Sequence, residues 1–151
     1  MSDSQPKVSV IIPHYNMYSS LPEAVKSVAG QNYSNIELIV VDDGSRAGIY
    51  RSQLSGLGLT LKLLEIDHNK GKPSAVNRGF EAASGAYFTI LDADDRLSPD
   101  SISKRISALQ ADQADLCIGS FEVCYQGIVQ SVRSVEKYAG RNREYLKRHL
   151  L

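Results

Sequence analysis

The sequence predicts an α/β fold in which a mostly parallel sheet carries helices on both faces. Three observations lead there. Five apolar, largely β-branched runs of strand length recur at residues 8–12, 36–41, 61–66, 86–91 and 116–123. Segments with helical periodicity and recognisable ends separate them. Acidic, basic and amide side chains cluster directly after the runs, where folds of this class bind ligands beyond the carboxyl ends of their strands.

The first run, Val8-Ser9-Val10-Ile11-Ile12, leads towards a helix that Ser20 is placed to cap, with Pro22 in its first turn and Glu23 at the spacing of a capping box. Leu21, Ala24, Val25 and Val28 then share one face. The second and fourth runs lack strict alternation, as in Ile39-Val40-Val41, which suits strands covered on both faces. A second helix is expected after the Gly44-Ser45 turn. The third follows Pro73, carries Ala75, Val76, Phe80 and Ala83 towards the core, and stops at Gly85 through a left-handed cap. Ser98, Pro99 and Asp100 open the fourth, whose buried stripe is Ile102, Ile106 and Leu109. The order β-α-β-α-β-α-β-α-β implies right-handed crossovers. From Gln126 onward the chain grows polar and ends in a basic helical segment over 142–151. Its Tyr145, Leu146 and Leu150 form a stripe that needs an apolar partner, so self-association as a homodimer, or fraying, is expected ahead of membrane contact.

Composition narrows the class. With 151 residues, 42% of them hydrophobic, the chain can form one compact domain over 1–151. Seventeen basic and seventeen acidic side chains cancel, so no basic surplus supports nucleic acid binding. Cys117 and Cys124 lack CxxC spacing or a neighbouring His and read as core thiols of a reducing compartment. The polar residues 1–7 contain no signal core, and no apolar stretch approaches the roughly 20 residues of a membrane span. A cytoplasmic protein is expected, peripheral at most to the inner face of a membrane.

Four chemistry-bearing segments follow the first four runs: Pro13-His14-Tyr15-Asn16, Asp42-Asp43-Gly44-Ser45, Asn69-Lys70-Gly71-Lys72 and Asp92-Ala93-Asp94-Asp95. Five carboxylates at one sheet edge would repel unless a divalent cation or shifted protonation compensates, and hard oxygen donors suit Mg2+ or Mn2+. Asp-Gly and Asp-Asp also make turns and caps, so either motif alone carries little. A dinucleotide fold is excluded by the missing Gly-x-Gly-x-x-Gly, and a P-loop by Pro73 in the Ser/Thr position and Ile66 in that of the first Gly. A haloacid-dehalogenase site would need a nucleophile after the first strand and a second Asp two residues on.

Taken together, Val-Ser-Val-Ile-Ile-Pro-His-Tyr-Asn from Val8, Ile-Val-Val-Asp-Asp-Gly-Ser from Ile39, Asn69-x-Gly-Lys-x-x-Ala-x-Asn-x-Gly and Leu-Asp-Ala-Asp-Asp from Leu91 resemble the inverting glycosyltransferases of family 2. The resemblance covers roughly residues 7–127 and implies a GT-A fold that uses a nucleotide-diphosphate sugar, a UDP-sugar here, with a saccharide or lipid-linked acceptor. It implies that Asp43 accepts the ring N–H of uracil while Pro13 and Tyr15 approach the nucleoside. It implies that Asp92, Ala93 and Asp94 form the Asp-x-Asp element, Asp94 holding the metal with Asp92 or Asp95 as a further ligand, and that the metal bridges the phosphates. Lys72 and Asn77 are implied at the diphosphate and nucleotide. Many relatives carry an Arg immediately before that Asn, where this chain has Val76, which leaves Lys72 or Arg78 to meet phosphate. His14 and His68 are read as hydrogen-bonded loop residues without catalytic roles. The acidic base and the Arg-Trp element of the family's second half have no counterpart; the remaining acids, Glu122, Glu136 and Glu144, match no motif. The chain is therefore expected to be a donor-binding half, either of a transferase or of a nucleotide-sugar-binding module or inactive fragment without turnover.

Overall fold

The computed structural model describes residues 5–46, 54, 56–125, 128–133 and 138–139. The chain divides into two compact units, Met1–Ser101 and Ile102–Leu151. In the first, β1 (Val8–His14), α1 (Leu21–Ala29), β2 (Ile36–Asp42), β3 (Thr60–Glu65), α2 (Lys72–Ala82) and β4 (Tyr87–Ile90) build a four-stranded, wholly parallel sheet in the order β3-β2-β1-β4. Every residue of β1 and β2 is buried, as expected for apolar strands covered on both faces. One core cluster joins Ile11, Ile39 and Val41 of the sheet to Ala75 of α2, with Leu64, Ile66, Ala82 and Ala83 against it. Helices on this sheet are too short and polar to cross a membrane: among the described residues no helix is long and apolar enough.

Local expectations fail where side chains meet specific neighbours. Ser20 stands at the N-cap of α1 in a helical conformation without a side-chain cap bond, and Glu23 pairs with Lys26 at 2.9 Å, so no capping box forms. The stripe Leu21, Ala24, Val25, Val28 is buried as expected. On α2 the buried positions are Ala75 and Gly79, and Phe80 lies outside, edge-on to Phe88 at 4.9 Å. Gly79 lets the helix approach the sheet: a Cβ there would stand 2.5 Å from Ile11 Cγ2. Gly85 is no left-handed cap. Its missing Cβ admits Ser9 and Tyr87 backbone, which would otherwise lie 2.7 Å away. β4 is an edge strand with Phe88 and Ile90 exposed, correcting the expectation of cover on both faces.

In the second unit, α3 (Ser101–Ala111), which starts at the unit boundary, buries Ile102, Ile106 and Leu109. The run 116–123 does not extend the parallel sheet. It breaks into β5 (Cys117–Ile118), antiparallel to β8 (Tyr138–Ala139), and β6 (Phe121–Tyr125), antiparallel to β7 (Ile128–Arg133). The break follows Gly119, where a Cβ would meet the Arg105 guanidinium at 2.8 Å. On the two-stranded β6–β7 ribbon Phe121, Val123 and Cys124 are exposed, so Cys124 is not a core thiol. The expected second helix, apart from Leu54, and the 142–151 helix with its dimer stripe lie outside the described residues.

Candidate functional site

The chain builds β1, β2 and β3 outward in one direction and then returns to place β4 on the other side of β1. Ligands bind at such reversals, beyond the carboxyl ends of the strands. A cleft of about 360 Å3 opens there. Pro13, His14, Tyr15 and Met17 line it from the end of β1, Asp43 from β2, Asn69, Gly71, Lys72 and Ala75 from the start of α2, and Asp92, Ala93 and Asp94 from β4.

The Asp43 carboxylate organises the middle of this cleft. Its Oδ1 accepts the Lys70 N–H at 2.9 Å and its Oδ2 the Gly71 N–H at 2.7 Å, while its own N–H donates to the His14 carbonyl at 2.8 Å. Each carboxylate oxygen has a second lone pair, so acceptor capacity remains on a buried group. Gly44 permits the loops to meet: it has φ +73°, and a Cβ would stand 2.6 Å from His68 backbone atoms. Gly71, at φ +89°, turns the chain into α2 in the same way. Across the cleft, Asn16 adopts φ 54°, donates its N–H to Ser45 Oγ at 2.8 Å, and accepts the Arg46 N–H and the Tyr18 hydroxyl at 3.1 Å each. These bonds tie the β1 loop to the β2 loop.

The expected repulsion among five carboxylates is largely answered within the protein. Asp42 accepts the Ser45 N–H at 2.9 Å, Asp43 is held as above, and Asp92 pairs with Lys72 at 2.6 Å. The unanswered part lies at Asp94 and Asp95. Burial, then the charges of Asp94 and Asp92, push the Asp95 carboxyl above the usual range against the opposing pull of Lys72. Asp95 closes a turn with its N–H on the Asp92 carbonyl at 3.0 Å and does not cap α3. No three His, Cys, Asp or Glu side chains among the described residues converge as a ready ligand set. The donor chemistry nonetheless fits a hard cation of the magnesium kind, which binds through one or two carboxylates and completes its shell with phosphate and water.

The structure brings together Pro13, Tyr15, Asp43, Lys72, Asp92, Ala93 and Asp94, all named from the sequence. Asn77 does not line this cleft. Five residues beyond Lys72, at about 100° per residue, it points about 140° away. It lines a second, polar cleft of about 560 Å3 with Glu65, Asp67, Lys70, Ser74, Arg78 and Glu81. Arg78 is turned there too and pairs with Glu81 at 3.5 Å. Met17, Asn69, Gly71 and Ala75 also line the cleft; Asn69 and Gly71 belong to the polar loop after the third run, a signal legible in the sequence, whereas Met17 and Ala75 carry none. The His14 ring is buried and makes no hydrogen bond, contrary to its reading as a hydrogen-bonded loop residue, and the residue is bonded through its backbone carbonyl. His68 is exposed.

Comparison with known proteins gives a consistent result. The profile of Glycosyl transferase family 2 matches residues 9–150. A relative in Escherichia coli, the UDP-Glc:alpha-D-GlcNAc-diphosphoundecaprenol beta-1,3-glucosyltransferase WfgD, is 31% identical over 116 residues, 77% of this chain and 46% of its own. Residues 1-349 of Staphylococcus aureus TarS in complex with UDP-GlcNAc superpose with a TM-score of 0.69 at 28% identity, covering 83% of this chain and 37% of that one. The Pyrobaculum calidifontis mannosyltransferase PcManGT, in complex with GDP-Man and Mn2+, gives 0.65 at 28% identity over 78% and 35%. The chain spans less than half the length of each of these proteins.

Proposed function

The chain belongs to glycosyl transferase family 2 with a GT-A fold, and on that premise we propose that it is the donor-binding portion of an inverting glycosyltransferase using a UDP-sugar. The acceptor is a saccharide or lipid-linked hydroxyl in polysaccharide or glycoconjugate synthesis, and the reaction runs on the cytoplasmic side. The observation that carries this reading is the gathering of Pro13, Tyr15, Asp43, Lys72, Asp92 and Asp94 around one cleft at the sheet's reversal point. The ligands of TarS and PcManGT support the nucleotide-sugar class, and the name of WfgD supports the lipid-linked acceptor.

In this reading the free lone pairs of Asp43 accept the ring N–H of uracil, in a position held rigid by Lys70 and Gly71 N–H groups. Pro13 and Tyr15 flank the nucleoside. The Lys72–Asp92 pair is exposed at 57% and 40% of its two side chains, so breaking it costs little and frees Lys72 for the diphosphate. Asp94, with Asp92 or Asp95, holds the cation. A bound Mg2+ or Mn2+ supplies charge neutralisation to the departing diphosphate.

Calorimetric titration with UDP, UDP-sugars and GDP, in manganese and in chelator, tests the reading. UDP and a UDP-sugar are expected to bind more tightly with manganese, and transfer to an acceptor is then assayed with the tightest donor. Failure of every nucleoside diphosphate to bind sinks the proposal.

A further inference from the structure

Among the described residues, the buried side-chain polar atoms without a hydrogen-bond partner are the two ring nitrogens of His14. The residue is 2% exposed, ends β1 opposite Asp42 of β2, and lines the donor cleft. Nearby polar groups bond to other partners and not to the ring. Asp42 Oδ1 takes the Ser45 N–H, and the Tyr18 hydroxyl donates to Asn16 while the Tyr18 ring stands edge-on to the imidazole, 5.5 Å between centroids. Burial lowers the His14 pKa, with Asp42 pulling the other way, so the ring is neutral with one donor and one acceptor. In native proteins a buried donor and acceptor without protein partners are met by an ordered water, an ion or a ligand, or serve a function.

We propose that His14 is a nucleoside-reading residue of the donor cleft: its ring, buried and without protein hydrogen bonds, turns as the nucleoside diphosphate binds so that a ring nitrogen meets the ribose or base. This rests on the donor-binding function proposed above. A neutral imidazole offers no charge to select the diphosphate, a task left to Lys72, whereas the hydroxyls of a ribose and the edge of uracil both donate and accept.

The test compares the wild-type chain with His14→Phe, which keeps a ring against Tyr18 and removes both nitrogens, and with His14→Asn, which restores a short polar group. Each is titrated with UDP and with pyrophosphate in manganese, and melted without ligand. His14→Phe is expected to melt at or above wild type, to bind UDP about tenfold more weakly, and to bind pyrophosphate unchanged; His14→Asn recovers part of the UDP affinity. Equal UDP affinity in wild type and His14→Phe, or an equal loss towards pyrophosphate, overturns the proposal. Because a phenylalanine can overpack the site, the wild-type ring is also read directly. Its nitrogen-15 resonances should move on saturation with UDP, and resonances that stay fixed while UDP binds refute the role of His14 alone. No UDP binding by the wild type refutes the donor-binding function as well.

Discussion

The two ends of the parallel sheet both hold carboxylates and lysines and use them oppositely. At the amino-terminal end, Glu37 is fully buried and fully met. Its carboxylate accepts Ser9 Oγ at 2.6 Å, the Ser84 N–H at 2.6 Å and Ser84 Oγ at 2.9 Å, with Lys62 at 3.0 Å and Lys7 at 3.3 Å. Burial alone would raise its pKa, yet these bonds hold it well below the usual carboxylate range. At the carboxyl-terminal end, Asp95 is pushed the other way by burial and by Asp94 and Asp92, the Lys72–Asp92 pair is exposed, and His14 is unpaired. One end spends its charges on cohesion. The other leaves them available, as a binding edge must.

The largest effect expected from this contrast is at Glu37. Glu37→Ala should lower the unfolding free energy by about 2–4 kcal/mol, because it leaves the Ser9 hydroxyl and the Ser84 N–H without their buried acceptor, whereas Asp92→Ala at the other end should change it by less than about 1 kcal/mol. Urea unfolding of the two variants decides whether the ends differ. The pH dependence follows in sign. With its folded pKa depressed, Glu37 contributes stability that is complete above its unfolded value of about 4.3 and drains as pH falls towards the folded one. Wild type should therefore lose more stability between pH 5 and pH 3 than Glu37→Gln does.

Asp43 combines both behaviours and sharpens the comparison. It belongs to the binding edge but is buried and holds two N–H groups, so Asp43→Ala should cost about 1–3 kcal/mol of stability besides weakening UDP by at least about tenfold. Asp94→Asn should abolish most of the gain in UDP affinity from manganese with stability within about 0.5 kcal/mol of wild type, checked by calorimetry and thermal melting. The smallest effect is at Asp95. Its raised pKa means that ionisation opposes folding, a penalty absent at low pH and felt as pH rises through the folded value. Asp95→Asn should then stabilise the chain at neutral pH by up to about 0.5 kcal/mol.

What could be read from the sequence follows the same division. The β-branched runs announced the four strands of the sheet, because strand-length apolar segments report burial directly, and the residues after them announced the cleft, because parallel strands end on one edge. Close approach was invisible. Phe80, expected in the core, lies outside because periodicity weighs hydrophobicity, while the helix–sheet distance at Ile11 admits no side chain at the buried position 79. The Glu37 network leaves only a faint trace in the sequence, where polar Ser9, Glu37 and Lys62 each interrupt an apolar run, and the pairing of the first two depends on strand register. The family resemblance implies Asn77 at the nucleotide, but the helical turn between Lys72 and Asn77 carries it to the neighbouring cleft. The orphaned ring of His14 depends on what Asp42 and Tyr18 are already bonded to, which no local pattern encodes.

Amide hydrogen exchange of the wild-type chain, with and without UDP and manganese, tests most directly that the carboxyl edge is the binding edge. The expected result is slowed exchange at 15–18, 43–46, 69–72 and 92–95, with amides beside Ser9, Glu37, Lys62 and Ser84 unchanged. Protection confined to 65–68 and 74–81, around the second cleft, or distributed equally over both ends of the sheet, would contradict it.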